Sequence, residues 1–191
     1  MRRFFYVFAM ALLCTAAAAI AQPVGGTDPG EFAGEARRIY AEQLKSARGL
    51  IAQKQFVEAI AILDRLTGDR PREPQARFLK GVALTDSDKL DEAITAFRGV
   101  LADFPELPEP HNNLAVLYAR KGEYELARIE LEAAIKAAPD YGVAYENLGD
   151  VHARLAAQNY ERAVARDSKN RTAPAKLKVV RDLLATSPNR P

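Results

Sequence analysis

Tryptophan is absent from these 191 residues, histidine and methionine occur twice each, and cysteine occurs once, as Cys14 inside an N-terminal apolar run. Beyond that run there is no side chain for a disulfide, a thiol nucleophile or a cysteine-ligated metal. The 11 glycines form no Gly-x-Ser-x-Gly elbow, phosphate-binding loop or dinucleotide fingerprint, so serine hydrolysis and nucleotide chemistry lack their frames. Asp86, Asp88 and Asp91 stand close together, but the stretch lacks the loop glycine and closing glutamate of a calcium hand, and helix capping accounts for them. An excess of one charge is missing too. The 27 Lys and Arg outnumber the 25 Asp and Glu only through Arg2 and Arg3 at the N-terminus. A nucleic-acid partner needs a clustered positive surface, and none is legible. The expectation is a protein without catalytic residues, cofactor or metal.

What is present begins with a separate N-terminal unit. Arg2 and Arg3 precede an apolar run from Phe4 to Ile20, and Ala19-Ile20-Ala21 precedes Gln22. A positive start, an apolar stretch and small residues before the cut describe a secretory signal over residues 1–21. Its Ala-rich tail is weakly hydrophobic, which favours cleavage after Ala21 and an exported, periplasmic or secreted chain. The alternative is an uncleaved membrane anchor, since about 17 to 25 apolar residues span a bilayer. A lipid-modified cysteine is disfavoured, because Cys14 follows Leu13 within the apolar run. Residues 22–30, rich in Gly and Pro, read as a flexible leader.

The remainder is rich in Ala, Leu, Glu, Lys and Arg and has few β-branched runs, which favours helices throughout. It is also periodic. Phe56, Leu90 and Tyr124 lie 34 residues apart, and so do Ala59, Ala93 and Ala127, and Pro71, Pro105 and Pro139. The clearest unit is 108–141. In it His111, Leu114, Ala115 and Tyr118 open one amphipathic helix, and Gly122-Glu123-Tyr124 turns the chain. Ala127, Leu131, Ala134 and Ile135 line a second helix, and Pro139 ends it. This helical hairpin resembles the tetratricopeptide repeat. A small residue recurs on each opening helix as Ala47, Gly81, Ala115 and Gly149, where stacked helices must approach closely.

The resemblance implies an all-α, right-handed solenoid of such hairpins within residues 31–186. Repeats fall near 40–73, 74–107 and 108–141, an atypical unit at 142–170, and a capping helix at 172–185. In the first unit Gln43 and Ser46 stand where the family prefers a ring and Leu, and in the second Lys80 takes the Leu slot. In the fourth, Tyr145, Leu148, Gly149 and His152 match an opening helix, but the turn is missing. With no Pro between Gly142 and Asp167, and Gly149 the one Gly, standing in the small slot rather than at a turn, one continuous or kinked helix of about 24 residues is expected. Asp28 is the candidate cap of the first helix and Thr172 of the last, each followed by Pro in the first turn. Residues 187–191 are expected to fray. His111 and His152 replace core aromatics and read as partly buried packing residues.

Function follows from the resemblance: a non-catalytic scaffold or adaptor holding a protein or peptide in the groove lined by successive opening helices. The family's ligand-facing slots fall on Leu44, Lys45 and Arg48, then Phe78, Leu79 and Val82, then Asn112, Asn113, Val116 and Arg120, and finally Glu146, Asn147 and Asp150. Apolar side chains there would anchor a peptide, and Asn amides both donate to and accept from its backbone. The alternative is that Phe78, Leu79 and Val82 are covered internally. The family's chaperone-binding carboxylate clamp is missing, since its slots hold Val82, Asn113, Val143 and Asn147. No nucleic acid is expected as partner, and no membrane once the signal is cleaved. Envelope assembly or secretion is the expected setting, with self-association or an accessory role beside an envelope enzyme as alternatives.

Overall fold

A computed structural model describes residues 29–186. The signal at 1–21, most of the leader, the Asp28 cap and the tail at 187–191 lie outside the described residues. Among those described there are eight helices and no strand: α1 (Pro29–Ala52), α2 (Phe56–Asp69), α3 (Pro74–Asp86), α4 (Leu90–Asp103), α5 (Pro108–Arg120), α6 (Tyr124–Ala137), α7 (Gly142–Arg166) and α8 (Ala173–Thr186). Pro29 opens α1 as the first-turn proline expected after Asp28, so the helix takes in the last two residues of the 22–30 leader. The chain divides into two compact units, one ending at Ala36 and one running from Arg37. The hairpins belong to the second.

Each hairpin turns by the same device. The backbone N–H groups of Lys54, Asp88 and Gly122 bond the carbonyls of Ile51, Thr85 and Ala119. The next residues, Gln55, Lys89 and Glu123, bond Leu50, Leu84 and Tyr118. This closing of the last helical turn needs a left-handed residue at its centre. Lys54 at φ 59°, Asp88 at 62° and Gly122 at 77° supply it, again 34 residues apart. Only Gly122 adopts that conformation without a side-chain penalty. Asp88 and Asp91, assigned to capping above, instead cross to the next hairpin: Arg120 bonds Asp88 at 2.6 Å and Lys121 bonds Asp91 at 2.7 Å. Opposite charges at the facing ends of neighbouring hairpins decide this.

The small slot works through volume. A Cβ added to Gly81 would lie 2.6, 2.7 and 2.9 Å from three atoms of the Phe97 ring, so the ring rests on bare backbone. Phe97 is fully buried and Phe78 packs on it, centroids 5.6 Å apart. Sixteen residues separate Gly81 from Phe97, and the same step joins Ala47 to Leu63 and Ala115 to Leu131, each pair buried in one cluster. Where the second helix brings a ring, the first yields a methyl group. Arg77 also clamps α3 to α4, bonding Asp103 at 2.5 Å and the Gly99 carbonyl.

The first unit solves its poor pattern by rotation. Gln43 and Ser46 are exposed, and Tyr40, Leu44 and Ala47 enter the core beside Leu63, Leu66, Ala76 and Leu79. Lys80, in a slot the family fills with Leu, pairs with Asp64 of α2 at 2.6 Å.

The fourth unit is a single 25-residue helix, α7. Its buried side carries Ala144 and Val151, with Leu148 half-buried on the same core as α6. The slots that meet a returning helix in the third unit are open here: Tyr145 is 50% exposed, His152 is exposed, and nothing lies within 4 Å of a Cβ on Gly149. The partly buried role expected for His152 is thus corrected, because the helix that would cover it never turns back. Farther along, α8 packs on α7 through Ala157, Ala173 and Leu177, with Arg181 on Glu161 at 2.7 Å. Its cap is Asn170 rather than Thr172: the Asn170 amide oxygen accepts from the N–H groups of Thr172 and Ala173. A side chain two residues back reaches both donors, as in an Asx turn.

Candidate functional site

The opening helices α3, α5 and α7 approach one another in sequence, whereas α4 and α6, among the described residues, do not. Curvature therefore closes on the opening-helix side, and a wall of α1, α3, α5 and α7 residues faces inward. Two kinds of position share that wall.

One kind forms seams between successive opening helices. Leu44 and Leu79 lie in one buried cluster, and Asn147 donates to the Asn112 side-chain oxygen at 2.8 Å; each pair is 35 residues apart. Phe78 and Asn113 have the same spacing. Phe78 is turned onto Phe97, Leu79 is 8% exposed, and Asn113 donates to the Glu109 carbonyl of its own helix. Asn112, also 8% exposed, is the one buried polar side chain among the described residues. A buried amide costs free energy unless it is bonded, and Asn147 supplies the bond. Of the residues expected in the groove, Leu44, Leu79, Asn112 and Asn147 thus join successive opening helices, Phe78 is packed within its own hairpin, and Asn113 is bonded to its own helix.

The other kind is open. Arg48, Val82, Val116 and Asp150 form one row, 34 residues apart, with the charged ends exposed and both valines half-buried. Glu146 is exposed beside Asp150. Arg120 is committed to Asp88 and to the Thr85 carbonyl at 3.5 Å. Near the turns the wall ends in a cleft of about 400 Å³ touching Ile51, Phe56, Asp86, Asp88 and Arg120. Sequence reasoning missed this cleft; the 34-residue recurrence of Lys54, Asp88 and Gly122 was the available signal.

His111 holds the third hairpin together. Its Nδ1 lies 2.7 Å from Glu130 of α6 and its Nε2 lies 3.3 Å from the Pro105 carbonyl. With both ring nitrogens facing acceptors, the imidazolium is favoured. The bond to Glu130 raises the His111 pKa above its ordinary value, burial opposes the shift, and the Pro105 carbonyl adds to it. Burial pushes the Tyr141 phenol up, with the Glu109 carboxylate adding. No group of three or more His, Cys, Asp or Glu among the described residues is arranged to hold a metal.

Stacked helical hairpins with a lined inner wall and repeated small-for-large packing define a helical-repeat scaffold. Two tetratricopeptide repeat models match, over residues 44–108 and 84–150. Together they span more than half of the sequence, and the chain belongs to the tetratricopeptide repeat family. TPR repeat-containing thioredoxin TTL4 of Arabidopsis thaliana is 34% identical over 91 residues, which are 47% of this chain and 13% of that protein. YrrB, a TPR protein with an unusual peptide-binding site, superposes with TM-score 0.52 at 28% identity, covering 56% of this chain and 55% of that one. The first TPR domain of human RPAP3 gives TM-score 0.59 at 15% identity, over 63% of this chain and 94% of that one, a likeness of fold. The chain thus spans about an eighth of the plant protein and about half of YrrB. Repeats of this family generally serve as scaffolds for protein interaction and typically do no catalysis.

Proposed function

We propose that the chain is an exported, non-catalytic adaptor that holds a peptide or an extended segment of a protein on the wall formed by α1, α3, α5 and α7. The observation that carries this reading is the open row at its centre. Val82 and Val116 present aliphatic surface inward between exposed charges, while the seams around them are already filled by Phe78, Leu79 and the Asn112 to Asn147 bond. An apolar strip framed by polar groups is the surface on which an extended peptide gains affinity. The peptide-binding site of YrrB supports the assignment. Envelope assembly or secretion is the proposed setting, on the strength of Arg2, Arg3 and the Ala19-Ile20-Ala21 site.

The test is selection from a random peptide display library on residues 22–191. A selected peptide should bind the parent and lose about tenfold or more in affinity on Val116→Asp, with the helical circular dichroism of the variant unchanged. Failure to select any peptide, or equal binding to the variant, would overturn the reading.

A further inference from the structure

In the third unit a returning helix covers the opening one: over Ala115 and Tyr118 of α5, helix α6 lays Leu131 between the small residues Ala127 and Ala134, all in one buried cluster. The matching slots of α7 are Tyr145, Gly149 and His152. Among the described residues they have no such cover, for all three are exposed and nothing lies within 4 Å of a Cβ on Gly149. The stripe continues along the 25-residue helix through half-buried Ala156 and Tyr160. Beside Tyr160 it opens into a groove of about 340 Å³ bordered by Ala175, Val179 and Val180 of α8. A terminal repeat left in this state exposes packing surface to water, which a covering helix would remove.

We propose that the cover is α7 of a second copy, laid antiparallel on this face to make a two-fold dimer. The pattern fits itself. His152 stands between Gly149 and Ala156, again a large residue between two small ones, with Tyr145 and Tyr160 beyond, so the stripe reads alike from either end. Antiparallel overlay sets Tyr145 against the partner's Tyr160, Gly149 against the partner's Ala156, and His152 against the partner's His152. The charges fit as well. Residues 136–150 hold three acids and one base, and residues 161–176 hold five bases and two acids. Of these, Asp140 and Glu146 are exposed at the first end, and Arg162, Arg166, Lys169 and Arg171 at the other. Asp150 has an interaction within its own chain, Arg181 bonds Glu161 at 2.7 Å, and Lys176 lies over the Tyr160 ring at 5.9 Å. An antiparallel pair brings acidic end to basic end twice, whereas a parallel pair would bring like to like. The area is sufficient too. A helix of this length runs about 37 Å. With the flanks of α6 and α8, set about 8 to 10 Å to its sides, the face offers about 700 Å² per copy, against about 800 Å² per partner in a standard stable interface.

Sedimentation of residues 22–191 over a concentration series should show a monomer and dimer in equilibrium. Gly149→Leu should weaken the dimer about tenfold or more by holding the helices apart. The monomer should melt at the same temperature or higher, because the added side chain meets open space and Leu is the better helix former. Arg162→Glu with Arg166→Glu makes both ends acidic, and Asp140→Lys with Glu146→Lys makes both basic. Each of these chains alone should be monomeric, and their equimolar mixture should recover the dimer, a gain which a damaged fold would not produce. Residues 22–191 contain no cysteine, so His152→Cys should crosslink two copies on oxidation while Val57→Cys on α2 should not. A chain monomeric at every concentration, a dimer indifferent to Gly149→Leu, or crosslinking of the Val57→Cys protein in preference would overturn the inference. A library-selected peptide that binds a monomeric chain and is lost on Gly149→Leu would give the face to another protein's helix and overturn it likewise. The peptide-binding reading of the inner wall is tested separately, since Val116→Asp should leave the dimer intact.

Discussion

Replacing Gly81 by Ala tests the volume exchange between paired helices. The new Cβ would sit 2.6 Å from the nearest Phe97 ring atom, about 1 Å inside ordinary contact, and Phe97 has no exposed surface and is backed by Phe78. Overpacking of this size costs about 1 to 3 kcal/mol, from which the better helix propensity of Ala returns up to about 1 kcal/mol. The net expectation is a loss of about 1 to 2 kcal/mol. Phe97→Leu alone should cost about 1 to 2 kcal/mol by leaving a void above the glycine. Combined, the two changes recreate the Ala and Leu pairing of residues 47 with 63 and 115 with 131. The double variant should therefore be more stable than the sum of the singles by about 1 to 2 kcal/mol, a coupling available only to residues in contact. Urea unfolding followed by far-ultraviolet circular dichroism reads all four proteins, with equal m-values as the check that they unfold alike. Additive costs, or a Gly81→Ala protein more stable than the parent, would refute the seating of the ring.

Phe78→Ala should lower stability by about 2 to 3 kcal/mol in the same assay, since its ring packs on Phe97 while remaining half-buried; a parent-like melt would return Phe78 to the open wall. Lys54→Gly should raise stability by about 0.5 to 1 kcal/mol and Gly122→Ala should lower it by about 1 kcal/mol, because each turn requires positive φ. The same sign for both would contradict the turn geometry. His111 gains protonation on folding, so its contribution is complete below its unfolded pKa of about 6.5 and disappears as pH rises through the higher folded value. Melting at pH 5.5 and pH 8 should therefore differ by about 1 kcal/mol or less in favour of acid, and Glu130→Gln should abolish the difference. For export, mass spectrometry of the secreted chain should find Gln22 at the N-terminus, whereas an intact Met1 in the membrane fraction would speak for an anchor.

The repeat was legible because its period is carried by residues with few substitutes: Pro at the helix ends, Ala and Gly at close approaches, and rings between them. The long α7 followed from a missing turn. The division of labour on the wall was harder to read. Phe78 and Val82 are four residues apart on one helix, both half-buried against the same core, and it is the neighbouring helix that turns the Phe78 ring onto Phe97 and leaves the Val82 methyls at the border of the inner row. Asn112 and Asn147 similarly read as ligand donors until the neighbouring helix joins them to each other. The partners of Asp88 and Asp91 lie about 30 residues onward and required the stack to find them.

The central claim is that the inner row around Val82 and Val116 is where a partner lies, and methyl-resolved NMR of the chain with a library-selected peptide tests it most directly. The outer helices offer an internal comparison, since Val57, Leu126 and Ile129 are 80%, 42% and 50% exposed. Saturable shifts confined to the Val82 and Val116 methyls and their neighbours on α3 and α5 are predicted. Shifts centred on Val57, Leu126 or Ile129 would contradict the account.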